Sequence, residues 1–262
     1  MPHDADQLLR QGDLDGARAA LVETVRTQPS NEQARMFLFQ LFAVAGEWDK
    51  AKRQLSTLAQ LSGEAQMLSV AYGQAIDAER ERADVFAGRA RARQHVPSAW
   101  AEGVVDALEH LAQGRADEAE AARDAAFDAA PDTPGELDGV PFDWIADADS
   151  RFGPCFEAII GGRYGLQPFD QVASLSSEGA RDLRDLVWYP VQIAFKSGQS
   201  VAAMLPARYP GSETSGDGRE RLARSTSWNA EPWGEAGRGQ HLWTLSTEEE
   251  RGILSVRTLR FA

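Results

Sequence analysis

The sequence contains a single cysteine, Cys155, among its 262 residues. One cysteine cannot form a disulfide within the chain, which fits a protein that is kept in a reducing compartment. Apolar runs are also short, and none approaches the roughly 18 residues that a membrane-spanning helix needs. The N-terminal segment Met1–Asp4 does not begin an apolar secretory signal. We therefore expect a cytoplasmic protein that does not insert into membranes.

Residues that bind metals and cofactors are equally scarce. The four histidines are scattered, and no cysteine or histidine pair has the spacing of a metal site. Gly237–Gly239 begins like a dinucleotide-binding loop, but the third glycine is missing and we interpret the segment as an ordinary loop. Neither a phosphate-binding loop nor a nucleophile elbow is present. We therefore expect no metal and no cofactor.

Catalysis would require Cys155 as a nucleophile and His241 as its base, because His241 is the only histidine in the second half of the chain. The alternative for Cys155 is a structural thiol that is partly or fully buried. We predict a protein without catalytic residues. A hydrolase or modifying enzyme that uses Cys155 and His241 is the alternative hypothesis.

Two acidic pairs, Asp147 with Asp149 and Asp182 with Asp185, could also act as acid and base. Closely spaced carboxylates in polar stretches more often lie on solvated helix faces or cap helices. We expect that second role for both pairs.

The net charge of −13 is unevenly distributed. Residues 1–150 carry 27 acidic and 14 basic side chains, whereas residues 151–262 carry 13 of each. A negative field of this kind disfavours nucleic acid and anionic membranes and favours basic or amphipathic partners. Solubility alone is the other explanation for the charge.

One seven-residue pattern occurs three times, in Gln11–Ala17, Ala45–Ala51 and Gln113–Ala119. Its glycines are separated by 34 residues and then by 68, which is one and then two steps of the tetratricopeptide period. Glycine suits the end of the first helix because it tolerates the left-handed conformation there, and the small alanine lets two helices approach closely. The repeat predicts stacked helix pairs.

The pattern predicts helix pairs over 6–28, 31–61 and 98–130, with Pro97–Ser98 capping the first helix of the last pair. The third period is degenerate because Arg80 replaces the glycine, so 64–93 is predicted as helix with a break or kink near Gly73 or Gly88. Residues 132–139 are rich in turn-forming residues and predict a linker, with one or two short helices following within 143–158.

After Tyr164 the apolar pattern changes to a period of two. Residues 187–196 alternate and predict a strand with one apolar face, in which Pro190 indicates an edge or a bulge. A turn and a returning strand at 201–205 would complete a hairpin. Further strands are predicted at 224–228, 240–245 and 253–261.

The predicted fold class is α+β. A TPR-like α-α superhelix occupies residues 1–131, a linker with short helices follows over 132–162, and a mostly antiparallel, small barrel-like β domain occupies 163–262.

In helical-repeat proteins the first helix of each pair lines the binding groove, which makes residues of the second repeat candidate contacts. They are Gln33, Met36, Gln40 and Val44. Met36 and Val44 could equally belong to the core between repeats. Three residues of the β part are further candidates: Arg208, Tyr209 and Trp228. The alternative for Arg208 and Tyr209 is to brace their loop through hydrogen bonds to backbone carbonyls. Four tryptophans of the β part, Trp188, Trp228, Trp233 and Trp243, should mostly be core, with one or two lining a groove.

Several strings in the second half resemble a known family. They are Gly162–Tyr164 with Pro168–Phe169, Asp185–Trp188 with Pro190, Leu205–Ser212, Arg221–Trp228 and Val256–Phe261. Together with the N-terminal repeats, they resemble the ImpE/SciE family, also called TagJ, of type VI secretion accessory proteins. The resemblance implies a cytoplasmic, non-catalytic adaptor that binds the N-terminal helix of the small sheath subunit, TssB, and influences sheath disassembly by the ATPase ClpV. A passive scaffold that contacts several proteins of the apparatus remains open.

Overall fold

The computed structural model describes the backbone of residues 2–262 and the side chains from Ala5 onward, so His3 lies outside the described side chains. The first half of the chain is helical. Its helices are α1 (Pro2–Arg10), α2 (Leu14–Thr27), α3 (Glu32–Val44), α4 (Trp48–Leu61), α5 (Glu64–Phe86), α6 (Glu102–Ala112) and α7 (Ala116–Ala129).

The repeated glycines end helices as the pattern predicts. Gly12, Gly46 and Gly114 have φ angles of +83°, +67° and +73°, so each turns the chain from one helix into the next. The repeated alanines at positions 17, 51 and 119 are buried. They lie in the three helices that follow these turns, which confirms the stacked helix pairs.

The third period begins and breaks as predicted, with helix α5 starting at Glu64 and a break at Gly88. Helix α5 runs unbroken through Gly73 and ends at Phe86, before Gly88 at φ +69°. The chain cannot continue as helix to residue 93 because Arg93 and His95 hydrogen-bond to Leu166 in the sheet. The cap predicted at Ser98 is wrong, since α6 begins only at Glu102.

The second half of the chain forms thirteen strands among the described residues. They are β1 (Gly135–Leu137), β2 (Val140–Phe142), β3 (Ile145–Asp147), β4 (Cys155–Ile160), β5 (Arg163–Pro168), β6 (Val172–Ser176), β7 (Trp188–Phe195), β8 (Ser200–Pro206), β9 (Thr226–Glu231), β10 (Gly234–Gly239), β11 (Leu242–Leu245), β12 (Glu250–Gly252) and β13 (Thr258–Phe261). A short helix, α8 (Gly218–Arg221), precedes β9.

The main sheet has the strand order β2-β1-β13-β6-β7-β8-β4-β5, and all its neighbouring strands are antiparallel. The β7–β8 hairpin is confirmed, with Val191 opposite Ala203. Within the described part of the chain the sheet is open, ending at β2 and β5, so the predicted barrel-like closure is wrong. Two smaller sheets, β9 with β10 and β12-β11-β3, complete this half.

Residues 132–162 contain four strands instead of a linker with short helices, which corrects that prediction. The segment is drawn into the sheets because β1 pairs with the C-terminal strand β13 and β4 pairs with β5 and β8. Gly237–Gly239 lies in β10 and is not a loop. The division of the chain into domains stays a prediction.

Pro190 lies in an interior strand and not at an edge. Ser177 donates a hydrogen bond to the Pro190 carbonyl at 2.7 Å, so the imide nitrogen of Pro190 also faces the β6 side of β7. Pairing with β6 has already ended there, at Ser176 opposite Gln192. The missing N–H of proline therefore costs the sheet no hydrogen bond.

The β half packs against the concave side of the helix pairs. Trp188 is fully buried and lies 5.8 Å from the ring of Trp48 and 5.6 Å from that of Tyr72. One continuous apolar core therefore runs from the repeats into the sheet. Among the described residues, no helix is long and apolar enough to cross a membrane.

Candidate functional site

An open groove remains at the N-terminal end of the concave face. Its volume is about 490 Å³, and its walls come from α1, α3, residues 182–183 and Arg224. Gln33, Met36 and Gln40 line it, so three of the predicted contact residues lie together. They share a wall with Phe37, which places residues 33, 36, 37 and 40 on one face of α3.

Gln40 is the most informative residue of this groove. Gln40 is only 8% exposed, and it lines the groove. Its amide can therefore donate or accept a hydrogen bond at the floor of the groove. Leu9, Met36 and Leu183 supply apolar surface beside it. The groove can thus bury apolar side chains and also hydrogen-bond to a polar group of a ligand.

The rim of the groove carries charges of both signs. Asp6 and Asp182 contribute carboxylates, and Arg10 and Arg224 contribute guanidinium groups. The rim therefore favours an occupant that carries both positive and negative side chains over an occupant with charges of a single sign.

Val44, Arg208 and Tyr209 do not reach the surface, with exposures of 0%, 5% and 0%. This corrects the prediction that they contact a partner, because a buried side chain cannot do so. Arg208 Nη1 donates to the backbone carbonyls of Val44 at 2.8 Å and Arg221 at 2.6 Å, which is the bracing role considered as the alternative. Burial lowers the pKa of Arg208 to about 10, so the guanidinium stays charged at neutral pH.

Trp228 is half-buried and packs on Tyr209, with their rings 5.6 Å apart, so its predicted role as a contact stays a prediction. Trp188 and Trp243 are buried in the core, as predicted.

A buried cluster of charged side chains joins the two halves of the chain. Arg82 of α5 donates from Nε and Nη2 to the Glu157 carboxylate of β4, at 2.7 and 2.5 Å. Its Nη2 also donates to the Arg208 carbonyl at 2.8 Å. Tyr164 donates to the same Glu157 carboxylate at 2.7 Å. The Arg82–Glu157 ion pair therefore links a repeat helix to the sheet.

His241 extends the cluster to β3. Its Nδ1 lies 2.7 Å from Asp147 Oδ2 and its Nε2 lies 2.9 Å from Glu157 Oε2, and the Tyr209 ring lies 3.9 Å away. Burial acts to lower the pKa of His241, but the two carboxylates outweigh it and raise the pKa to about 9. The ring is thus doubly protonated at neutral pH and bridges two carboxylates. Burial acts to raise the pKa of Glu157, but Arg82 and His241 hold it well below its usual range.

The acidic pairs have different roles. Asp182 caps a short 3₁₀ helix and Asp185 completes its capping box, as predicted. Asp147 and Asp149 are buried, which corrects the expectation of a solvated helix face. Asp149 accepts from Arg151 Nη2 at 2.5 Å and from the Gly237 backbone N–H at 2.6 Å, so its charge is neutralised inside the protein.

The arrangement around Cys155 does not favour the enzyme hypothesis. Cys155 is fully buried, and burial raises the pKa of its thiol well above the ordinary value, which disfavours the reactive thiolate. Both ring nitrogens of His241 are hydrogen-bonded to carboxylates, so neither is free to take a proton from a thiol. Within the part that the structure describes, no cluster of acidic, histidine or cysteine side chains could hold a metal ion.

The fold and the groove define a helical-repeat protein with an antiparallel β module on its concave side. A tetratricopeptide repeat family model matches residues 8–69, and the family model described as ImpE protein matches residues 139–260. The type VI secretion system accessory component TagJ of Pseudomonas aeruginosa is 45% identical over 225 residues, which cover 86% of this chain and 80% of that protein. The chain therefore belongs to the TagJ (ImpE) family of type VI secretion accessory components.

The same architecture occurs in a distant crystal structure, that of protein VPA1032 from Vibrio parahaemolyticus. The two chains superpose with a TM-score of 0.88 at 20% sequence identity, over 99% of this chain and 97% of that one. Helical repeats followed by a β half are therefore a shared fold.

Proposed function

We propose that this protein is a cytoplasmic adaptor of the type VI secretion system that holds an amphipathic helix of the small sheath subunit, TssB, in the groove between α1 and α3. The observation that carries the proposal is the open groove of about 490 Å³, whose α3 wall combines the apolar side chains of Met36 and Phe37 with the amide of Gln40. Membership of a family of secretion accessory components supports a partner within that apparatus.

The position of the groove favours one short helix over a long peptide. Helical repeats bind peptides along the concave face, but here the β half fills that face beside α3 and α5. The end formed by α1 and the first turns of α3 carries an open groove. A helix that places residues i, i+3, i+4 and i+7 on one side would bring its apolar stripe against Met36 and Phe37.

In this proposal the effect on ClpV is indirect. A partner helix that lies in the groove is withheld from other contacts, so the adaptor changes when the sheath is accessible to the ATPase without binding ClpV itself. No bond is made or broken in such a role. The proposal therefore assigns no catalytic residue.

Replacing Met36 with aspartate should weaken binding of a synthetic TssB N-terminal helix at least roughly tenfold, because the charge would lose its hydration in an apolar groove. Isothermal titration calorimetry measures this directly. Met67→Asp is the matched control, since Met67 lies on α5 with its side chain 84% exposed. Equal affinities for the two variants, with both folded by circular dichroism, would rule out this groove.

Replacing Cys155 with alanine tests the enzyme hypothesis. We expect TssB-peptide binding and secretion activity to be unchanged, with a cost of about 1–2 kcal/mol in stability from the small cavity. Loss of secretion by a variant that folds and still binds the peptide would favour the enzyme hypothesis instead.

A further inference from the structure

A second groove, the α5 groove, lies between helix α5 and the main sheet. Its volume is about 300 Å³, and its lining includes Ala71 and Gln74 of α5, Pro190 of β7, and Ala202 and Met204 of β8. In the β7–β8 pair Met204 lies opposite Pro190, and Ala202 lies opposite Gln192. Because residues that are paired across two strands project from the same side, the floor of the α5 groove is one face of the main sheet.

The helical repeats cover only part of this sheet face. Trp188 lies two residues before Pro190 and therefore on the same face, where it is buried against Trp48 and Tyr72. Farther along β7 the cover ends, since Pro190 is half-buried and Gln192 is exposed. The sheet therefore offers room for one more helix beside α5.

Helix α5 presents an apolar stripe to the same space. Met67 and Val70 are 84% and 62% exposed, which makes them the most exposed large apolar side chains among the described residues. With Ala71 and Gln74, which are also exposed, they form one uncharged stripe of about two turns. The last two members of the stripe line the α5 groove. Contiguous apolar surface of this kind marks a site of protein association.

The α5 groove continues into a polar part that carries arginines. The two parts share Pro190 and Val191, and the polar part has a volume of about 600 Å³. Arg181, Arg184 and Arg257 line it. The Nε atom of Arg184 is buried and has no hydrogen-bond partner in the part of the chain that the structure describes. This end of the groove therefore offers donors to an acidic group.

Nearby carboxylates do not cancel this positive charge. Asp182 pairs with Arg184 at 2.9 Å, and the buried Asp185 accepts from the Arg181 backbone N–H at 2.7 Å. Glu178 lies 3.7 Å from Arg181, but both side chains are mostly exposed and the pair is weak. None of the described carboxylates pairs with Arg257, whose Nη1 donates to the Tyr189 hydroxyl at 2.7 Å. In a chain with a net charge of −13, this end of the groove thus favours carboxylates.

We propose that the α5 groove takes up an amphipathic helix of a partner protein that has an acidic first turn. The helix lies on the sheet face beside α5, and its apolar stripe contacts Met67, Val70 and Met204. Carboxylates of its first turn bind Arg181 and Arg257, and at that position they also stabilise the helix itself. The two parts of this surface share no lining residue with the α1–α3 groove, so the two sites can be occupied independently.

The probe is a blocked, stapled helical peptide with leucines at i, i+3, i+4 and i+7 and three glutamates in its first turn. It is titrated into the full-length protein by calorimetry at low salt, beside a second version in which glutamines replace the glutamates. We expect the glutamate peptide to bind at least roughly fivefold more tightly than the glutamine peptide. Equal affinities, or no binding by the glutamate peptide, would overturn the proposal.

Two variants test the protein side. Val70→Asp should weaken binding of the glutamate peptide at least roughly tenfold, against less than twofold for the matched control Val22→Asp on α2, where Val22 is 46% exposed. Arg181→Glu should weaken the glutamate peptide at least roughly threefold at low salt and change the glutamine peptide by less than twofold. Equal effects of Val70→Asp and Val22→Asp would show that the peptide does not lie on α5.

Two further measurements separate this surface from other occupants. The TssB helix should bind Val70→Asp as tightly as wild type, which keeps this proposal distinct from the α1–α3 groove. Loss of TssB binding in Val70→Asp but not in Met36→Asp would assign the α5 groove to TssB and contradict both proposals. Light scattering should show no dimer that the glutamate peptide dissociates, because such a dimer would assign the α5 groove to a second copy of the chain.

Discussion

Replacing Arg82 with methionine is expected to lower the free energy of unfolding by about 3–5 kcal/mol. The substitution keeps the length of the apolar stem but leaves the Glu157 carboxylate, which is 3% exposed, without its bidentate partner. The Arg208 carbonyl also loses a donor. Arg82 joins α5 to Glu157 of β4 and to the Arg208 carbonyl. We therefore expect the helical half and the β half to lose stability together. Urea unfolding followed by far-ultraviolet circular dichroism and by tryptophan fluorescence measures it.

Arg80 provides the control for this variant. It lies two residues earlier on α5 and pairs with Asp49 and Asp77 at the surface, with its side chain 41% exposed. Arg80→Met should cost less than about 1 kcal/mol, because exposed ion pairs contribute little. The double variant Arg82→Met with Glu157→Gln should be more stable than the sum of its single changes predicts. A cost for Arg82→Met no larger than that for Arg80→Met would mean that the buried cluster does not hold the halves together.

Replacing His241 with glutamine is expected to remove much of the alkaline sensitivity of the fold. The pKa of His241 is about 9 in the folded protein, above the ordinary value of about 6.5 for the unfolded chain. A raised folded-state pKa gives stability that is complete below about pH 6.5 and is lost as the pH rises through about 9. The loss should be about 1.4 kcal/mol per pH unit, or about 3 kcal/mol in total.

The measurement is the free energy of unfolding between pH 6 and pH 10 for both proteins. Wild type should lose about 3 kcal/mol more than His241→Gln over this range, although the variant is less stable at pH 7 because two carboxylates lose their common donor. His95→Gln is the control, since burial lowers the pKa of His95 and its titration falls on the acid side. Parallel curves for wild type and His241→Gln would show that the ring is not an imidazolium.

The sequence predicts the three repeated helix turns of the first half because their signals are local. A glycine at the end of a helix and an alanine one turn into the next helix depend on neighbours within a few residues, and they recur with a fixed period. Strand β7 is equally predictable, because its apolar side chains alternate with others as they do on the two faces of a sheet. The strands of residues 132–162 cannot be predicted in this way, because they are stabilised by partners far along the chain, such as β13 for β1.

The buried cluster could not be predicted for the same physical reason. Arg82 and Glu157 are 75 residues apart, and Asp147 and His241 are 94 apart. In sequence, Arg82 looks like any arginine of a charged helix, and Asp147 with Asp149 looks like a solvated pair. Only the close packing of the repeats on the sheet removes them from water. The alternative role considered for Arg208, hydrogen bonding to backbone carbonyls, is confirmed. The sequence indicates it because a rigid loop between prolines needs such support.

The groove was predicted in part. Gln33, Met36 and Gln40 follow from the rule that the first helix of each repeat faces the concave side, and they do line one groove. Val44 follows from the same rule but lies where the β half covers α3, and its carbonyl is bound by Arg208. The sequence does not show that the protein fills most of its own concave face.

Site-specific photo-crosslinking tests the adaptor role most directly. A benzoylphenylalanine placed at position 33, where the native Gln33 is exposed at the groove, should crosslink to TssB in cells that assemble the secretion apparatus. The same group at position 22, on α2 outside the groove, should give no such product. Crosslinks to TssB from position 22 and none from position 33 would contradict the assignment of this groove to the sheath subunit.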